Sequence, residues 1–123
     1  MKLKILNESY KVVKLDINSS VPVDFFDKEF YSFTKTEDEI SIVISSNSNI
    51  ESDYIEKDFK IIKLEGILDF SLIGILSKIS KILADNNISI FVTSTYNTDY
   101  ILVKKEHIET AKQVLTENNY YFD

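Results

Sequence analysis

A weak internal repeat constrains the fold of this chain more than any other feature of its sequence. Residues 10–16 and 59–65 share an apolar pattern, two lysines in equivalent places and a closing carboxylate. A second pair of segments, residues 34–44 and 95–103, supports the repeat, because each runs from a threonine through an aspartate into apolar residues. Strands retained around a connection of variable length are typical of a duplicated unit. The repeat therefore predicts two related tandem units in one compact body, residues 1–57 and 58–123.

The second unit has the clearer pattern of secondary structure. Alternating β-branched residues predict strands, and apolar residues at helical spacing predict two amphipathic helices. The predicted elements are a strand at 59–64, a helix at 71–86, strands at 88–92 and 100–103, a helix at 106–117 and a strand at 120–122. Right-handed crossovers fold this order into an antiparallel sheet with both helices on one face. The predicted fold class is α+β, with a ferredoxin-like βαββαβ unit.

The first unit is predicted to be a degenerate copy of the second. Alternation predicts strands at 2–6, 10–15, 30–34 and 40–45, of which the first is assigned to a sheet edge and the last two to a hairpin. Residues 21–27 leave room for a helical turn or two where the second unit has a full helix. The interval 50–58 stays open between a short helix and coil.

The ends of the long predicted helix carry candidate capping residues. Asp69 or Ser71 can accept a backbone N–H of the first turn, as N-cap residues do. Asn86 or Asn87 tolerates the left-handed conformation that commonly ends a helix.

Composition excludes several classes of function. Cysteine is absent, so disulfides, thiolate metal sites and cysteine nucleophiles are excluded. The single histidine, His107, lies beside Glu106 near a helix start, where a solvated position is expected and no metal site of familiar spacing arises. Neither glycine-rich nucleotide motif occurs, and no nucleophile accompanies a base and an orienting partner. We expect no cofactor, no metal ion and no enzymatic activity.

Charge and hydropathy narrow the expected partners. The net charge is −6, and all 14 residues counted as Lys or Arg are lysines. A nucleic-acid binder would instead show a cationic face with arginines for phosphate, so we expect no nucleic-acid partner. No apolar stretch approaches the roughly 20 residues of a membrane span, and residues 1–6 are too short for a secretory segment. The sequence predicts a soluble cytoplasmic protein with no membrane association.

The second unit resembles ACT domains, which are regulatory modules that bind small ligands, usually amino acids. Gly66 stands at the first strand-to-helix passage, and Gly74-Ile-Leu, Asn87-Ile-Ser-Ile and Ser94-Thr-Tyr-Asn-Thr-Asp follow in order. This run is similar to the ACT units of the CASTOR-type arginine sensors and their short bacterial relatives, which carry S-T-[FY]-x-x-D before a strand ending L-V. The resemblance implies a homodimer with a ligand held between ACT units.

The resemblance also implies which residues contact the ligand. Those sensors hold their ligand with the strand-to-helix loop and the S-T-[FY]-x-x-D segment. The matching positions here are Asp69, Phe70, Ser71, Leu72, Ile73, Gly74, Thr95, Tyr96 and Asp99. Where the arginine sensors have a glycine followed by acidic residues, this chain has Asp69-Phe-Ser-Leu-Ile-Gly74, and the identity of the ligand stays open.

The chemistry of these residues suits the binding of a zwitterion rather than catalytic turnover of a substrate. The helix start offers unpaired N–H groups to a carboxylate. Asp99 can receive an ammonium group through a charge-assisted hydrogen bond. Each residue also has a structural interpretation, with Asp69 and Ser71 as helix caps and Asp99 as an ordinary hairpin residue.

The sequence therefore favours a regulatory sensor of amino acids or similar small molecules, whose ligand shifts its association with another protein. Two alternatives stay open. One is a ligand-free interaction module that uses an open sheet face or edge. The other is a regulatory subunit of an amino-acid biosynthetic enzyme.

Overall fold

The computed structural model describes residues 1–21, 29–66 and 72–123. The chain divides into two compact units. The N-terminal unit is Glu8–Asp58, and the C-terminal unit combines Met1–Asn7 with Phe59–Asp123. In chain order the described elements are β1 Lys2–Ile5, β2 Tyr10–Leu15, β3 Ser32–Lys35, β4 Ile40–Ser45, β5 Tyr54–Leu64, α1 Ile75–Asp85, β6 Ile90–Ser94, β7 Asp99–Lys104, a 3-10 helix Lys105–His107, α2 Ile108–Glu117 and β8 Tyr121–Phe122.

The C-terminal unit is a sheet of order β8-β1-β5-β7-β6. Strand β5 pairs antiparallel with β1 and β7, and β6 pairs antiparallel with β7. The predicted α+β class with a ferredoxin-like βαββαβ order is confirmed, since β5, α1, β6, β7, α2 and β8 follow one another as expected.

Strand β1 is the main departure from the prediction. The strand is predicted to lie at a sheet edge within residues 1–57, and this edge assignment is wrong. In the structure β1 lies between β5 and β8, antiparallel to the first and parallel to the second. Its Leu3 is fully buried opposite Leu64, so the strand completes the sheet of the C-terminal unit. Alternation shows that a segment is a strand, but it carries no information about a partner distant in sequence.

Both helices pack against one face of this sheet. Ile79 and Leu83 are the buried residues of α1, and Ala111 and Leu115 are those of α2. Burying a leucine or isoleucine side chain contributes about 1.5–3 kcal/mol. The buried core that they share with the sheet consists of Leu3, Ile62, Leu64, Ile79, Leu83, Ile88, Ile101, Val103, Ala111 and Leu115.

The start of α1 differs from the predicted one. The helix begins at Ile75, not at residue 71, and its N-cap is Gly74, with φ of 81° in the left-handed region. The predicted caps Asp69 and Ser71 lie outside the described residues. At the other end, Asn87 has φ of 59°, which confirms the predicted left-handed stop.

The N-terminal unit contains the strand order β3-β4-β2. The predicted hairpin is confirmed by the antiparallel pair of β3 and β4. The interval left open at 50–58 contains the start of β5, at Tyr54. Residues 22–28, which include most of the predicted helical turn at 21–27, lie outside the described residues. The buried core of this unit is Val13, Ile40, Ile42, Ile44 and Ile50.

Neither helix in the described ranges has the length and apolar character that crossing a membrane would require.

Candidate functional site

A cavity of about 340 Å³ opens in the C-terminal unit, between the start of α1 and the connection from β6 to β7. Two runs of chain line it, residues 72–77 and residues 94–99. The first run is mainly aliphatic and the second is mainly polar. The volume of the cavity falls at the small end of the range of about 300–1,000 Å³ that ligand pockets occupy.

The structure places most of the predicted site residues on this cavity. Those that line it are Leu72, Ile73, Gly74, Thr95, Tyr96 and Asp99. The other predicted residues, Asp69, Phe70 and Ser71, lie outside the described residues. Two segments identified separately in the sequence thus meet at one cavity, and ligand contact by them stays a prediction.

The first turn of α1 lines the cavity. The amides of Ile75, Leu76 and Ser77 belong to the first turn, where N–H groups have no partner inside the helix. Gly74 has no side chain that could cap them, and its carbonyl accepts the N–H of Lys78 at 3.0 Å as the first helical bond. The helix dipole adds partial positive charge at the same place. This end of the cavity suits an anionic group.

Two threonines fix the turn between β6 and β7. The Thr95 N–H donates to the Thr98 carbonyl at 2.8 Å, and the Thr95 hydroxyl donates to the same oxygen at 3.2 Å. The hydroxyl of buried Thr98 donates to the Leu64 carbonyl at 2.7 Å. Thr95 therefore has a structural role in the turn, and Thr98 ties the turn to the end of β5.

Sequence reasoning missed Thr98. Two threonines three positions apart, flanking Tyr96 and Asn97, are a pattern that side-chain-supported turns favour. That spacing would have identified the turn. Nothing local in the sequence indicates the bond to Leu64.

Asp99 is half-buried at the first position of β7, directly opposite Ser94 on β6. The Ser94 hydroxyl donates to Asp99 Oδ1 at 2.5 Å. This bond orients the carboxylate at the cavity wall. Asp99 Oδ2 has no hydrogen-bond partner among the residues that the structure describes. The carboxylate therefore has acceptor capacity left for a ligand.

Three large apolar side chains at the cavity are exposed. Ile73 is 92% exposed, Tyr96 81% and Leu72 54%. Large apolar side chains gathered at one place on a surface mark a site that another molecule covers. The cavity therefore combines an apolar rim with a carboxylate and a helix start.

Within the described ranges, no group of three or more acidic or histidine side chains lies close enough together to hold a metal ion.

Comparison with known families gives two matches. The ACT domain model matches residues 54–117, and the model of an N-terminal domain matches residues 8–53. The chain belongs to the ACT domain family. This membership supports a small-molecule-binding regulatory role. The CASTOR-type subgroup and an amino acid as ligand stay predictions.

Solved structures agree with the fold. A protein from Agrobacterium tumefaciens is 32% identical with a TM-score of 0.88, and the match covers 99% of this chain and 91% of that one. A Vibrio cholerae protein, described as a possible transport protein of unknown function, is 21% identical with a TM-score of 0.71, over 94% and 88% of the two chains. The aspartate kinase of Clostridium acetobutylicum is 16% identical with a TM-score of 0.61, over 85% of this chain and 32% of the kinase. The last two matches show a similar fold and nothing more. Comparison with curated proteins gives no significant match.

Proposed function

We propose that this protein is a regulatory sensor that binds a free amino acid in the cavity between α1 and the β6–β7 turn. The observation that carries the proposal is the shared cavity itself. The first turn of α1 and Asp99, which come from separate segments, both line it.

The two sides of the cavity match the two charged groups of an amino acid. The ligand carboxylate would accept from the amides of residues 75–77, where the helix dipole favours negative charge. The ligand ammonium would donate to Asp99 Oδ2, while Ser94 holds Oδ1. Hydrogen bonds with one charged partner contribute about 1.5–3 kcal/mol each. The same groups offer no activated nucleophile, so we propose binding without catalysis.

The regulatory part of the proposal draws on family membership and on one structural neighbour. The Clostridium acetobutylicum kinase is described as an allosteric enzyme for amino acid production, and its likeness to this chain spans 32% of the kinase. We propose that ligand binding changes the association of this chain with another protein. A ligand achieves this only if it binds the two states of association with different affinity.

We further propose that the protein is a homodimer. Strand β6 pairs only with β7 in the part of the chain that the structure describes, and its other edge is open. The strand, Ile90-Phe-Val-Thr-Ser94, contains no charge and no proline, the usual protection against pairing with another chain. A second copy that pairs along β6 would satisfy these backbone groups.

A ligand-free interaction module is the second candidate. The exposed side chains of Leu72, Ile73 and Tyr96 favour it, because a partner protein could cover them as well as a small molecule could. A module of this kind would bind its partner equally well with and without amino acids.

Calorimetric titration of the full chain with each of the twenty amino acids tests the proposal. We expect one or a few of them to bind. Asp99→Asn should weaken that binding by about 10- to 100-fold, the equivalent of one charge-assisted hydrogen bond. Asp99→Ala should abolish it while stability stays within about 1 kcal/mol, as is usual for surface changes. If none of the twenty amino acids binds at millimolar concentrations, the result would contradict the proposal.

Ser94→Ala is the matched control. It removes the hydroxyl that orients Asp99 but keeps the carboxylate. We expect a smaller loss of affinity than with Asp99→Asn. Equal losses would assign the effect to the hairpin structure instead of the ligand contact.

A further inference from the structure

We infer that Thr98 is a positioning residue of the ligand site, whose hydroxyl raises ligand affinity by holding the neighbouring Asp99 in place. The inference rests on the proposed function and adds a residue on which ligand binding depends. A hydroxyl that served stability alone would leave the affinity of the folded protein unchanged, so the two roles can be separated by experiment.

The Thr98 side chain is buried and fully committed inside the protein. Thr98 is one of two buried polar residues in the part of the chain that the structure describes, and the other is Ser45. The Thr98 hydroxyl donates its proton to the Leu64 carbonyl at 2.7 Å. Burying a hydroxyl is unfavourable unless a hydrogen bond compensates for the lost water. The bond to Leu64 supplies that compensation and fixes Thr98 against the end of β5.

The backbone pairing of β5 with β7 ends just before the cavity. Its register ends at Lys63 opposite Tyr100, and Asp99 is the next residue on β7 toward the turn. On the side of β6, Asp99 pairs with Ser94. The Thr98 hydroxyl therefore adds a bond to β5 one residue beyond Asp99, where the ladder has ended. Asp99 lies between this bond and the last backbone pair.

The same bond connects the two walls of the cavity. Leu64 is the last residue of β5, and α1 is the next helix along the chain. The first turn of α1 forms one wall, and the turn that contains Thr98 forms the other. A site ordered before its ligand arrives binds more tightly, because binding then supplies less of the ordering itself. The Thr98 hydroxyl provides this order on the side of Asp99.

Calorimetry of Thr98→Val and Thr98→Ser, with each amino acid that the parent binds, tests the inference. Thr98→Val keeps the shape of the side chain without the hydroxyl, and Thr98→Ser keeps the hydroxyl without the methyl group. We expect Thr98→Val to weaken binding by about 3- to 10-fold, which corresponds to ordering one side chain on binding, and Thr98→Ser by less than about twofold. Asp99→Asn should weaken it more than Thr98→Val does, because Thr98→Val retains the carboxylate.

Ile88→Val is the control for lowered stability. Ile88 is buried in the core of the same unit but does not line the cavity. Its truncation destabilises a protein about as much as the loss of one hydrogen bond does. We expect this variant to bind with the affinity of the parent.

Three results would overturn the inference and leave the proposed function intact. The first is equal affinity of Thr98→Val and the parent, the second is equal losses in Thr98→Val and Thr98→Ser, and the third is an equal loss in Ile88→Val. If no amino acid binds the parent, the proposed function and this inference both fail.

Amide hydrogen exchange provides a readout that needs no ligand. The Thr95 N–H donates to the Thr98 carbonyl at 2.8 Å, so its exchange reports local opening of the turn. We expect the Thr95 amide to exchange faster in Thr98→Val than in Ile88→Val. Equal exchange in the two variants would show that the bond to Leu64 does not hold the turn, and it would overturn the inference.

Discussion

The hydroxyl of Thr98 donates a 2.7 Å hydrogen bond to the carbonyl oxygen of Leu64, and both residues are buried. Leu64 ends β5, and Thr98 immediately precedes β7. The bond therefore joins the turn that carries Thr95, Tyr96 and Asp99 to the strand beside it. One wall of the cavity is held in place by this contact.

Replacing Thr98 with valine should destabilise the protein by about 0.5–1.5 kcal/mol. Valine keeps the shape of threonine but removes the buried hydrogen bond to the Leu64 carbonyl, and one hydrogen bond contributes about this much to stability. Urea denaturation measures the loss. Thr95→Val is the control: its hydroxyl bonds within an exposed turn, so we expect a smaller loss. Equal stability of Thr98→Val and the parent would show that the bond to Leu64 contributes nothing.

Substitutions at Gly74 should destabilise the protein through the backbone alone. Its φ is 81°, and a Cβ built there meets no atom within 4 Å. Alanine should cost about 1–2 kcal/mol, the price of the left-handed conformation for an L-residue. Asparagine should cost less, because it tolerates this conformation. Thermal unfolding of both variants checks the order. An alanine variant as stable as the parent would contradict it.

The sequence predicted those features of the fold that depend on local patterns. Alternation located β4 and β7, and helical spacing located α2, with Ala111 and Leu115 inward as expected. The hairpin of β3 and β4 followed from the charged link between two alternating runs. Each of these signals lies within a few residues of the element that it specifies.

The features that the sequence did not predict depend on distant or backbone-only interactions. β1 lies between β5 and β8 because Leu3 packs in a core assembled from the other end of the chain. α1 begins after Gly74, where a left-handed glycine and not a side-chain cap sets the boundary. At the site, the resemblance identified Thr95, Tyr96 and Asp99, but not the bond from Thr98 to Leu64. That bond is formed only once the sheet is assembled.

Phe91→Lys should convert the proposed homodimer to a monomer. Phe91 is 38% exposed on β6, the open edge of the sheet. In a dimer that pairs along this edge, the substitution places one lysine from each copy at the interface, and the two like charges repel. Charged side chains protect natural edge strands from association in the same way. Sedimentation velocity should give twice the chain mass for the parent and one chain mass for the variant.

Tyr121→Lys is the control for that experiment, because Tyr121 is also an exposed aromatic residue but lies on β8, away from β6. We expect it to remain dimeric. A dimer that survives Phe91→Lys would show that another surface forms the interface.

Lys11 should make stability depend on pH in the alkaline range. Its Nζ donates to the carbonyls of Ser48 at 2.8 Å and Ile50 at 3.4 Å, and burial, aided by the charge of Lys57, lowers its pKa below 10.5. Between this lowered pKa and 10.5 the unfolded chain binds more protons than the folded chain. The contribution of Lys11 to stability therefore rises with pH through that window.

Urea denaturation of the parent and Lys11→Met measures this effect. The free energy of unfolding of the parent, relative to that of the variant, should increase as the pH rises from neutral toward 10.5. A difference that stays constant across this range, or that shrinks, would show that the Lys11 pKa is not lowered in the folded protein.

Amide NMR spectra of the full chain, recorded with and without an equimolar mixture of the twenty amino acids, test the central claim most directly. If the cavity between α1 and the β6–β7 turn is the binding site, the largest shifts will fall on the amides of residues 75–77 and 95–99. Shifts confined to residues 50–55 or 109–117, which line other surface cavities, or an unchanged spectrum, would contradict it.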